Sequence, residues 1–144
     1  MKSKVFIAIF FLSQSIASAD QAFDELLSAK SLKCEFGPGI SADWVKGHPK
    51  IKNDAFNTTT HFDSIDLKKR TARLIGNQGA ADLVVFTTGA GLTFFETTGS
   101  GNVVFTTVFG SQGNGKYIAV MSRHMDIIGK PMPSQYYGTC QIWE

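Results

Sequence analysis

The sequence predicts an all-β domain: an antiparallel meander closed into a small up-and-down barrel of about eight strands, behind one short N-terminal helix. Three observations lead there. From residue 60 onward, apolar runs of strand length recur with only short, glycine-bearing links between them. Such links are too short for a parallel crossover, which takes about a dozen residues or more, so neighbouring strands must pair antiparallel in sequence order. Lastly, Cys34 lies in the first strand-like segment and Cys140 in the last, each on the apolar side of its strand.

Residues 1–19 read as a secretory signal. Lys2 and Lys4 form a basic start, Val5 to Leu12 is a continuous apolar run, and Ala17-Ser18-Ala19 offers a small-x-small cleavage pattern before Asp20. The apolar run falls short of the roughly 20 residues a helix needs to cross a bilayer, so no transmembrane anchor is expected. Residues 20–144 are then a single barrel domain of 125 residues, large enough for its own core. Losing the two lysines of the signal turns 14 basic against 12 acidic residues into 12 against 12. A neutral domain lacks the basic field on which phosphate-backbone binding relies, which argues against nucleic acid as a partner.

The helix is expected over 20–30, where Phe23, Leu26 and Leu27 share one face and Asp20, Asp24 and Glu25 suit the positive end of the helix dipole. A helix this short needs tertiary support, so it should lie across an opening or flank of the sheet. Leu32, Cys34 and Phe36 then alternate with Lys33 and Glu35 as a first strand, which Gly37-Pro38-Gly39 interrupts. A strand over 41–46 or 50–56 is compatible with the least regular stretch. Further strands are expected near 60–67, 70–76, 82–88, 92–98, 102–109, 116–125 and 135–143. Asn77-Gln78-Gly79, Gly89-Ala90-Gly91, Gly99-Ser100-Gly101 and Gly110 to Gly115 supply the turns between them.

Val-Val-Phe-Thr-Thr occurs at 84–88 and again at 103–107, with Phe-Phe-Glu-Thr-Thr at 94–98 between them. Adjacent strands of the same β-favouring residues, with hydroxyls pairing across strands, account for this echo. Left as open edges, such apolar strands would invite aggregation, which favours a closed sheet. Two cysteines in an exported chain point to a disulfide between Cys34 and Cys140, and that bond would place first and last strands side by side. A two-sheet sandwich with the bond between its sheets is the alternative fold.

No catalytic motif is present: neither a GxSxG elbow nor an HExxH spacing occurs, and His48, His61 and His124 stand far apart. Met121, His124, Met125 and Met132 are soft metal-capable side chains, but strand alternation puts His124 on the face opposite Met121 and Met125. No cofactor or metal is therefore expected. Aromatic rings are abundant, and a small barrel uses them either to fill itself or to line a ligand cavity; the sequence leaves both open. The expected function is that of an exported, non-enzymatic barrel, periplasmic or extracellular, binding a small apolar or amphipathic molecule. Trp44, Phe94, Phe105, Tyr117, Arg123, His124 and Tyr136 are its expected contacts. The alternative is an interaction module or inhibitor of the cell envelope, with a packed interior and an envelope protein as partner. An enzyme using His124 is a third reading.

The segments Ser122-Arg-His124 and Pro133-Ser-Gln-Tyr-Tyr-Gly-Thr-Cys140, with Cys34-Glu-Phe-Gly-Pro-Gly and the following Trp44, resemble a group of small exported bacterial β-proteins of uncharacterised function. The resemblance implies export and a shared fold, and brings no catalytic or ligand residues with it. A glycine-then-tryptophan start before a β-meander is also similar to lipocalin-like barrels, although Gly39 to Trp44 is wider than that family's GxW.

Overall fold

A computed structural model describes residues 12–76, 79–113 and 115–144. Most of the expected signal (Lys2, Lys4 and the apolar run up to residue 11), the turn residues Asn77 and Gln78, and residue 114 lie outside the described residues. One helix, α1 (Leu12–Ser28), precedes eight strands: β1 (Leu32–Val45), β2 (His48–Asp66), β3 (Thr71–Gly76), β4 (Gly79–Thr88), β5 (Gly91–Thr97), β6 (Val103–Gly113), β7 (Lys116–Asp126) and β8 (Pro131–Ile142). Each strand pairs antiparallel with the next, and β1 pairs with β8, so the meander closes into a barrel rather than a sandwich. α1 starts before the expected cleavage site and continues through it.

The seam between β1 and β8 is where the cysteines meet. Cys34 and Cys140 are directly opposed partners, with Cα atoms 4.0 Å apart and their sulfurs bonded. Both are fully buried. At the same seam Gly138 faces Phe36, and a Cβ there would run into the carbonyl oxygen of Glu35 and the Phe36 ring. The two strands approach this closely because glycine occupies that position.

Gly37-Pro38-Gly39 does not end the first strand, as the sequence suggested. It forms a bulge inside β1, with the register to β2 and to β8 shifting between Phe36 and residues 38–39. A bulge inserts an unpaired residue and so reverses which side chains point inward. Leu32, Cys34 and Phe36 are buried before it, and Ser41 after it. The candidate strands at 41–46 and 50–56 both form, and pair with each other as a long hairpin in which Trp44 faces Pro49. A second irregularity lies in β2 between Asp63 and Asp66, where Ser64 takes a left-handed φ of 52° and Ile65 turns into the core.

Alternation fills the barrel. Val104, Thr106 and Val108 of β6 are buried, while Val103, Phe105, Thr107 and Phe109 between them are half-buried on the outer side. Of the repeated threonines, Thr107 meets a hydroxyl across the strands, that of Thr93 at 3.0 Å, while Thr106 turns inward and is buried. Thr87, Thr88 and Thr97 face Leu92, Gly91 and Val103, so beyond Thr107 the echo does not form the cross-strand hydroxyl pairs expected of it.

One end of the barrel is closed. α1 packs against β5 and β6, with Phe23 over Gly110 and Leu26 fully buried in the same core cluster as Leu32, Leu92 and Val108. The hydroxyl of Tyr117 donates to the carbonyl of Ala22 at 3.0 Å, tying β7 to the helix. The predicted apolar face of the helix thus serves as a plug. At the opposite end Asn102, itself buried, receives the Asp126 N–H at 2.7 Å and donates to Ser100 at 2.9 Å, joining the β5–β6 and β7–β8 connections.

Candidate ligand-binding site

Above the packed half, the barrel is hollow. A cavity of about 260 Å³ lies between β2, β3, β4, β5, β6 and β7, at the end opposite α1. It lies just below the roughly 300–1,000 Å³ common for drug-sized ligands, which sets a small occupant. Its apolar surface comes from Phe56, Phe62, Leu74, Leu83, Phe94 and Met121. Phe62 and Phe94 stack with ring centroids 4.1 Å apart and planes 10° from parallel, and both are buried. Stacked rings make a rigid wall, since each has only two side-chain torsions to fix.

Polar groups enter the lining from β2, β5, β6 and β7. Arg123 and Glu96 line the cavity, together with Thr58, Thr60, Thr98 and Thr106. The Arg123 guanidinium lies over the Phe56 ring, 4.5 Å from its centroid, and donates to the Met125 sulfur at 3.9 Å. Phe56 in turn packs on Tyr136, 5.3 Å between centroids, whose hydroxyl donates to Asp54 at 2.9 Å. That bond, with the Ala55 N–H, holds the Asp54 carboxyl below its usual range.

Glu96 behaves in the opposite way. Burial pushes its carboxyl up from the ordinary glutamate range, while the charge of Arg123 pulls it down by less. A folded-state pKa raised above the unfolded value favours folding below the unfolded pKa, and that contribution is lost as pH rises through the folded one. Glu96→Gln should therefore melt a few degrees above the parent protein at neutral pH, with the gap shrinking as pH falls through the glutamate range. Parallel thermal melts across pH would show this, and a gap independent of pH would contradict it.

The residues expected from sequence to contact a ligand separate into three groups. Phe94 and Arg123 line the cavity. Tyr136 and Tyr117 are buried in the barrel: the first stands behind Phe56, and the second is bound to α1 at the closed end. Trp44, Phe105 and His124 are outside it. Trp44 is 51% exposed on the β1–β2 hairpin, and Phe105 packs on the outer wall against Phe95 and the edge of His124, at 5.0 and 5.9 Å. His124 points away from Met121 and Met125, which both line the cavity. Among the described residues no group of three or more His, Cys, Asp or Glu side chains is gathered as for a metal ion.

Phe56, Phe62 and Glu96 were not anticipated. Glu96 had a readable signal, because it shares strand parity with Leu92 and Phe94 and so faces inward with them. Comparison with protein-family models, curated proteins and solved structures gives no match to this chain.

Proposed function

We propose that this protein is an exported, non-enzymatic barrel that binds a small apolar or amphipathic molecule in the open half of its interior. The observation that carries the reading is the cavity itself: a half-open, aromatic-lined space that also carries polar groups, above a tightly packed core. A barrel that only needed to fill itself would bring side chains together there, as it does around Leu92 and Val108. Export is supported by the signal-like start and by the disulfide, since such bonds persist in oxidising compartments. Among the described residues no helix is long and apolar enough to cross a membrane.

Titrating the protein with 1-octanol, followed by amide chemical shifts, tests the reading. Shifts should concentrate at Phe62, Phe94, Thr106 and Met121 and spare the packed end around Cys34. No saturable shifts at those positions would rule it out.

A second reading, an envelope interaction module, rests on the β1–β2 hairpin. Trp44, Val45 and Ile51 are at least half exposed there, and apolar side chains left open on a projecting hairpin suit a protein contact.

A further inference from the structure

The cavity holds a guanidinium, Arg123, that makes no direct ion pair among the described residues. Arg123 projects into it from β7, and its stem and head are half-buried between Phe56 and Met125. A guanidinium offers five N–H donors in a fixed fork, of which the thioether of Met125 satisfies one weakly. Among the described residues no carboxylate comes within ion-pairing distance of it. Glu96 shares the cavity and feels the charge of Arg123, but the two side chains do not form an ion pair. Burying part of a guanidinium costs free energy unless a partner compensates it. Stacking on Phe56 offers some compensation and covers a face of the guanidinium, leaving the edge of the fork, where the N–H groups point, free to bind an acceptor.

We propose that the ligand is a small monocarboxylate amphiphile, its carboxylate gripped by Arg123 and its apolar tail lying along Phe62, Phe94 and Met121. This rests on the ligand-binding reading above and adds the sign and place of the head group. A planar carboxylate matches the guanidinium fork with two parallel hydrogen bonds, which no alcohol or amine can do. The hydroxyl of Thr58, also in the cavity lining, can donate to an anionic head; the tail meets the stacked rings deeper in. A cationic head is disfavoured, because it would meet Arg123 directly.

The test compares octanoate, 1-octanol and octylamine by calorimetry on the intact, disulfide-bonded protein, with Arg123→Gln as the variant. Octanoate should bind at least about tenfold more tightly than octanol, the scale of a charge-assisted pair. Arg123→Gln should remove that advantage, so that octanoate and octanol bind the variant with equal affinity. The comparison among the three probes on the parent protein does not depend on the variant folding, and thermal melting of Arg123→Gln shows whether its loss is local. Equal affinity for octanoate and octanol, or tighter binding of octylamine, would overturn the carboxylate assignment while leaving a binding cavity in place. Binding of none of the three would overturn both this assignment and the proposed function.

Discussion

Replacing Cys34 and Cys140 together by alanine is expected to lower the free energy of unfolding by about 4–5 kcal/mol, the chain-entropy value for so long a loop. The bond joins residues 106 positions apart, so it removes much of the freedom of the unfolded chain. Domains of ordinary stability unfold with only about 5–15 kcal/mol, and a loss of this size would bring this one near its limit at physiological temperature. Urea denaturation is the appropriate measurement, because the denaturant slope should also rise as the uncrosslinked chain exposes more surface. Reduced parent protein should follow the same curve as the double variant. An unchanged midpoint would mean that strand pairing along Leu32–Ile142 and Phe36–Gly138 holds the seam without help.

Phe94→Ala is expected to cost about 3–5 kcal/mol, the range for truncating a buried phenylalanine. Its ring is 1% exposed and lies flat on Phe62, at the level where the packed half of the barrel gives way to the hollow one. Removing it takes away the stacking partner of Phe62 and joins the vacated space to the cavity above. The variant should therefore accept longer or branched apolar probes that the parent protein excludes, even as its melting temperature falls. Loss of stability with no gain in tolerated ligand size would show that the wall collapses inward. A cost below about 1 kcal/mol would contradict the burial of the ring, since even a single buried methylene is worth about that much.

Strand order and closure were legible because they rest on two local signals, the short links and the face on which each cysteine lies. The inside of the site was harder to read, because two bulges reset the alternation. Counting by twos from Cys34 puts Trp44 inside the barrel; the extra residue at Gly37-Pro38-Gly39 turns it out. The same reset in β2 takes the inward position from Ser64 and passes it to Ile65. Phe105 was ambiguous for a different reason. Strand β6 is apolar on both faces, so periodicity alone could not tell Phe105 from Val104. Arg123 was among the expected contacts, but its setting over Phe56 depends on residues far apart in sequence. Whether the interior was solid or hollow depended on the summed volumes of side chains from all eight strands, which no local pattern contains.

The long hairpin of β1 and β2 has one flank locked and the other short. On the β8 side a covalent bond and eight residue pairs fasten β1; on the far side β2 meets β3 through only four pairs, from His61 to Asp66. Among the described residues, 48–60 of β2 have no pairing partner in β3. That flank borders the cavity, with Thr59 and Thr60 on one bank and Ile75 and Gly76 on the other. The walls of the cavity are thus joined by hydrogen bonds and packing alone, and the covalent tie of the ring lies outside them, at the seam of Cys34 and Cys140.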